Sequence, residues 1–481
     1  MDTNRRSFLR SGFLATAGLL SGKALTAAQQ HTMQHHHPGA PEQKPAEVPI
    51  GPPGDLGVGV LPVETPDLPK LPWQMDGGVK VFHLVAEPVE QEFLPGRRFN
   101  VWGYNGSVPG LTIEANQGDR VRIVLDNHLP EPTAIHWHGL EIPIEMDGGP
   151  GISQDLVEPG GRYVYEFTVH QAGTFFYHSH LPMQEMLGQI GLFILHPREA
   201  FKPRVDRDFA VVWQEWAVLP SNSVPNSMSM EFNWLTINGK SGPACTPLLV
   251  RQGERVRIRM VNLGMDHHPI HLHGNTFFVT GTEAGRVPES AWRPENTVLL
   301  GVAQARDIEF NAKYAGDWML HCHLPHHMMN HMASMVGPLT HTGEGMHSSK
   351  GMKEGMGIMQ RGGALAEENG PSLGRGMGHV GDYEKVEMNH AGGEHAGHGA
   401  HIAQEMKSMP GMQHERAKSV PGYPQDMFMT MDEDVAKPET YGLREGWTGA
   451  MMGMMTLVRV LPPELYKKIR SLQAQARSKQ S

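Results

Sequence analysis

The chain has 481 residues, 41 basic and 51 acidic side chains for a net charge of −10, and two cysteines. That mild acidity, with no basic recognition element, argues against a nucleic-acid role, and two cysteines exclude a disulfide framework. No segment beyond the N-terminus is long and apolar enough to cross a bilayer, which takes about 20 residues.

Residues 1–28 read as an export signal. Arg5-Arg6-Ser7-Phe8-Leu9 is a twin-arginine pattern, followed by a short apolar run from Gly12 to Leu20 and small residues at Ala27-Ala28. This predicts a protein exported folded, to the periplasm or the exterior. Residues 29–70, with Pro38, Pro41, Pro45, Pro52 and Pro53, read as a linker. Residues 71–200 and 205–340 read as two β-domains, because alternating stretches such as Arg255-Val256-Arg257-Ile258-Arg259-Met260 suit strands with one buried face.

These two stretches are copies of one another. Gly118-Asp119-Arg120-Val121-Arg122-Ile123 precedes Ile135-His136-Trp137-His138-Gly139, and Gly253-Glu254-Arg255-Val256-Arg257-Ile258 precedes Ile270-His271-Leu272-His273-Gly274. Further on, Gln171-Ala172-Gly173 before His178-Ser179-His180 matches Tyr314-Ala315-Gly316 before His321-Cys322-His323. An internal repeat of this kind predicts two tandem domains of one fold.

Each copy carries two His-x-His pairs. A single pair is more often a strand-end accident than a ligand pair, but four pairs supply eight imidazoles, enough for a cluster of three copper ions. In the second copy, residues i and i+2 of a strand share a face and i+1 points the other way. His321 and His323 can therefore serve one metal centre while Cys322 serves another. A thiolate, two imidazoles and a weak thioether describe a blue-copper electron-transfer site, and His268, Cys322, His327 and Met332 supply that set. The first copy has Thr133, Ser179, Gln184 and Gln189 at those four positions, so it should hold no blue copper. His326, Met328 and Met329 are rivals in register to His327 and Met332. The chain reads as a copper-dependent oxidase.

From Gly343 to Gln413 the sequence turns to Gly, Met and His, with Gly-Met pairs at 351–352, 355–356, 376–377 and 411–412. It reads either as a solvated tail or as a collector of Cu(I) through soft sulfur. Residues 341–481 are expected to form this low-complexity tail and a terminal helix. Met427-Phe428-Met429-Thr430-Met431 could clamp Cu(I) if extended. The apolar stretch Trp447–Leu461 should dock on the body, with Met451, Met452, Met454 and Met455 as packing groups. Pro463-Glu464 could open a short helix carrying Leu465, Ile469 and Leu472. Cys245 reads as an inert thiol.

Over roughly residues 75–340 the sequence resembles the multicopper oxidases, through its HWHG, HSH, HPIHLHG and HCHLPHHMMNHM segments. The resemblance implies two Greek-key cupredoxin sandwiches, all-β, in a two-domain laccase-like arrangement. It implies four copper ions: type 2 copper on His136 and His271, a type 3 pair on His138, His178, His180, His273, His321 and His323, and type 1 copper on His268, Cys322, His327 and Met332. It further implies dioxygen as the oxidant, a small reductant such as Cu(I) or a phenol, no membrane insertion, and a homotrimer with clusters at subunit interfaces. Asp147 sits at the family's acid position near type 2 copper, where it could relay protons; alternatively it is a turn aspartate before Gly148-Gly149. His326 replaces a glutamate common in relatives. A copper-storage protein is the alternative of a different class. A copper nitrite reductase is disfavoured, because it needs the blue-copper cysteine where Ser179 stands.

Overall fold

Strand alternation in the sequence becomes two consecutive β-sandwiches in the computed structural model, which describes residue 56 and residues 60–218, 223–226, 232–328 and 431–480. The first sandwich comprises β1 (Trp73–Asp76), β2 (Val79–Leu94), β3 (Arg97–Tyr104), β4 (Gly110–Asn116), β5 (Arg120–Asn127), β6 (Ile135–His138), β7 (Arg162–Thr168), β8 (Gly173–Ser179) and β9 (Ile190–His196), with a short helix α1 (Pro182–Met186) between β8 and β9. One sheet runs β1-β2-β5-β7 with β3 on β2, and the facing sheet runs β4-β9-β8-β6. Phe82, Leu84 and Ala86 of β2 point inward to Ile123, Leu125, Trp137 and Tyr177, while the residues between them face out.

The second sandwich repeats the scheme with β10 (Arg207–Trp216), β11 (Trp234–Ile237), β12 (Leu248–Arg251), β13 (Arg255–Asn262), β14 (His268–Leu272), β15 (Phe277–Thr282), β16 (Gly285–Arg286), β17 (Pro294–Glu295), β18 (Thr297–Leu300), β19 (Gln304–Asn311), β20 (Gly316–Cys322) and β21 (Met455–Leu461). Its first sheet runs β11-β10-β13-β19-β15-β16 with β17 on β15, and its second runs β12-β21-β20-β14-β18. A helix α2 (Pro463–Gln480) follows, longer than the short helix expected, and packs Ile469 and Leu465 on Leu249 and Leu461.

One part of the sequence reading is corrected. It ended the second domain at residue 340 and placed residues 341–481 in a low-complexity tail. Strand β21 instead lies inside the second sheet, parallel to β12 and antiparallel to β20. In the first sandwich the same place, between β4 and β8, belongs to β9. The apolar stretch Trp447–Leu461 was legible as a segment that docks. Its role as a core strand was hidden by the residues that separate it from β20. Residues 63–70, read as linker, also pack: Val63 and Leu68 are buried between the sandwiches.

The sandwiches are joined by a core of their own. Every residue of β8 is buried, because Phe175 and Tyr177 enter the first core while Phe176 meets Val212, Val261 and Leu263 of the second sandwich. A buried charge network crosses the same junction. Arg259 donates to Asp208 at 2.8 Å and to Thr174 at 2.8 Å, and Thr174 donates to Asp307 at 2.6 Å. Burial pushes the Asp208 carboxyl up, but Arg259 and Arg257 outweigh it and hold it below its ordinary value. This fixes how the two histidine-bearing sheets are set in one chain.

Candidate metal centres

Strand alternation builds the first centre. On β6, Trp137 enters the core against Tyr165 and Tyr177, so His136 and His138 project from the opposite face. They meet His178 and His180 from the end of β8, whose ring centroids lie 5.5 and 5.4 Å from that of His136. The His136 Nδ1–H donates to the Asp147 carbonyl at 2.9 Å and the His178 Nδ1–H to the Ser179 carbonyl at 2.8 Å. These bonds select the tautomer that leaves Nε2 free to accept a metal. The buried His178 Nε2 has no partner. Burial, with His178 and His136 beside it, lowers the His138 pKa to about 4, so the ring is a neutral donor at pH 7.

The second copy repeats the arrangement. Leu272 and Cys322 point inward, and His271, His273, His321 and His323 gather on the other face, with ring centroids 4.9–5.7 Å apart. His271 Nδ1–H donates to Asn296 O at 2.7 Å and His321 Nδ1–H to Cys322 O at 2.8 Å. The facing Nε2 atoms of His273 and His321 are 3.0 Å apart. Among the described residues, no hydrogen bond or ring contact joins this tetrad to that of the first copy.

Behind the second tetrad lies the third centre. Cys322 Sγ is 3.4 Å from His327 Nδ1 and 3.8 Å from His268 Nδ1, and the two nitrogens are 3.2 Å apart. All three residues are wholly buried. A point in the plane of this triangle lies about 2 Å from each donor, the length of a metal–imidazole bond. His268, three positions before His271, thus turns to the Cys322 side. His327, rather than His326, reaches the thiol; the His326 ring packs on it at 4.2 Å. Met332 and Met329 lie outside the described residues, as do residues 1–28 and Met427 to Thr430.

Two carboxyl groups that sequence reasoning missed complete this centre. Glu215 of β10, also wholly buried, accepts from His268 Nε2 at 3.1 Å, and Asp266 accepts from His327 Nε2 at 3.2 Å. Each carboxyl fixes the ring proton on Nε2 and aims Nδ1 at the centre. Asp266 stands two residues before His268, a readable neighbour; Glu215 is brought from 53 positions away and carries no local signal. Burial pushes the Cys322 thiol up to about 12, so metal binding must expel its proton. Cys245, buried and donating to Lys240 O, is likewise pushed up to about 12 and, among the described residues, belongs to no metal-donor set.

The first copy has polar residues where this centre would be. Thr133 and Ser179 hydroxyls both donate to Gln184 Oε1 at 2.8 Å, and Gln184 Nε2 donates to Pro132 O at 2.8 Å. It is a closed, neutral hydrogen-bond network.

Two family models, both described as multicopper oxidase, match residues 86–200 and 218–337. The chain belongs to the multicopper oxidase family. Copper resistance protein A of Pseudomonas syringae pv. tomato is 32% identical over 214 residues, 44% of this chain and 29% of that protein. Laccase-2 of Cryptococcus neoformans var. grubii is 32% identical over 199 residues, 36% of this chain and 34% of that one. The solved blue copper oxidase from Nitrosomonas europaea shares 29% identity at a TM-score of 0.48, covering 52% of this chain and 81% of that one. The chain spans less than half the length of the curated relatives it matches. Copper is the metal of multicopper oxidases, and the donors described above suit it: imidazoles for the tetrads, and one thiol with two imidazoles for the triad.

Proposed function

We propose that this multicopper oxidase takes electrons one at a time from a small reductant at the His268–Cys322–His327 centre and passes them to dioxygen at the histidine tetrads. One observation carries the reading: a single strand end presents Cys322 to the buried triad and its neighbours His321 and His323 to the opposite face. The covalent chain itself is then the shortest electron path between the centres. Bound copper would supply the one-electron chemistry and the four-electron reduction of dioxygen to water. In this reading type 1 copper rests on His268, Cys322 and His327. Type 2 copper rests on His136 and His271, and the type 3 pair on His138, His178, His180, His273, His321 and His323. Asp147, whose carboxyl oxygen is 3.5 Å from His136 Nδ1, would relay protons to that face.

Each tetrad is half of a cluster. The reading joins tetrads of neighbouring copies in a head-to-tail homotrimer, a heterologous contact closed by rotation. It draws support from exposed apolar side chains: Ile144 (59% exposed) and Ile152 (88%), flanking Asp147, and Leu299 (58%), on the strand beside His271. Such groups ask for cover.

For the reductant, Cu(I) is favoured over phenols or aromatic amines because Met319, Met328, Met451 and Met455 share one cluster next to His327, and thioethers prefer the cuprous ion. The reading joins this to export through the twin-arginine pattern and to a role in periplasmic or extracellular copper tolerance. The deciding experiment measures copper per chain with optical and electron-spin spectra. Four ions per chain, with an intense thiolate charge-transfer band that Cys322→Ser removes, supports the oxidase. Full loading without oxygen uptake in the presence of reductant would leave only storage.

A further inference from the structure

The fourth, thioether ligand of a blue-copper centre comes by sequence spacing from Met332, ten positions after Cys322, as Gln189 stands ten positions after Ser179. The backbone points elsewhere. In the first sandwich, Ser179 N–H donates to Gln189 O at 3.1 Å, and Gln189 N–H to Gln184 O at 3.2 Å. In the second, Cys322 N–H donates to Met454 O at 3.1 Å, and Met454 N–H to His327 O at 2.8 Å. Ser179 corresponds to Cys322 and Gln184 to His327, so Met454 holds the place of Gln189.

Sheet register agrees. His178 pairs with Ile190 in the first sandwich and His321 with Met455 in the second, which sets Ser179 opposite Gln189 and Cys322 opposite Met454. Residues directly opposed across antiparallel strands project to the same face. Met454 therefore projects to the face on which Cys322 meets His268 and His327. It is wholly buried and shares the core cluster of Cys322. The ladder position beside Cys322 is filled by Met454, so a strand running on from Met332 cannot also occupy it.

We infer that Met454, supplied by a strand that returns only after residues 323–453, is the axial thioether of the type 1 copper, and that Met332 is not a ligand. This rests on the type 1 reading of His268, Cys322 and His327. The axial ligand tunes the redox potential of such centres, so the test reads spectrum and potential rather than turnover.

The copper-loaded full-length protein is compared with Met454→Leu, Met454→Gln, Met332→Leu, Met328→Leu and Met329→Leu. Leucine nearly conserves volume and should preserve the fold. Met454→Leu should keep the blue band and raise the type 1 midpoint potential, and Met454→Gln should lower that potential and alter the copper hyperfine splitting. The other three variants should match wild type in both. A potential or splitting moved by Met332→Leu, Met328→Leu or Met329→Leu overturns the assignment, and this arm holds even if the Met454 variants fail to fold. Folded Met454 variants with unchanged spectra and potential overturn it equally. A wild type that loads copper without blue colour sinks the type 1 reading as well, and so separates the two failures.

Discussion

At the scale of single residues, protonation and hydrogen bonding prepare the centres for metal. His138 has a pKa of about 4 in the folded chain against an ordinary value near 6.5, because burial disfavours its charged form. Between those values the unfolded chain holds a proton that the folded chain does not. Metal-free protein should therefore gain stability as pH rises from about 4 to 6.5 and hold it above. Urea midpoints across that range should show the rise, and His138→Gln should flatten it; an unchanged slope in the variant would contradict this account. Gln184 gives a second test. Gln184→Leu leaves the Thr133 and Ser179 hydroxyls without their acceptor in a dry interior, at a cost of about 2–4 kcal/mol. Thr133→Val and Ser179→Ala added to it should recover most of that loss, because removing both partners is nearly neutral. A triple variant less stable than the single one would refute the network.

Among elements, β21 matters most. It is a core strand between β12 and β20, with Val458 and Val460 buried among Val250, Ile258 and Leu320. After Met328 the described residues resume at Met431, which packs with Val435 and Ala244. Two deletions should behave oppositely. Truncation after residue 430 should leave no soluble, blue protein, because it removes a central strand. Internal deletion of residues 343–413 should keep the fold and the blue band, read by circular dichroism and visible absorption. If that internal deletion lowers cuprous oxidation much more than phenol oxidation, the Met/His-rich stretch serves Cu(I); equal rates for both substrates remove that role.

For the whole molecule, the buried ion network around Arg259 and the apolar junction at Phe176 hold the two tetrads in fixed places within one chain. In the proposed trimer a second copy completes the set of eight ligands. Ile152→Asp with Leu299→Asp should convert the proposed trimer to monomers by light scattering. The electron-spin signal of type 2 copper should disappear and the blue band should persist, because the triad lies within one sandwich. A monomer that retains every copper signal would exclude the shared cluster.

Two tandem β-domains, the gathering of eight histidines into two tetrads and the meeting of Cys322 with His268 and His327 in the second copy were legible in the sequence. They depend on local period: alternate residues on a strand face opposite ways, so HWH, HLH and HCH state their own geometry. The carboxyl of Glu215, the core place of β21 and the position of Met454 beside Cys322 were not legible. Each depends on a strand brought alongside from far away in the chain. Sheet pairing is set by packing and by which ladder position is open, and spacing along the chain does not encode it. Sequence alone thus determined which donor side chains share a strand face, and the tertiary structure decided which backbone segments close around them.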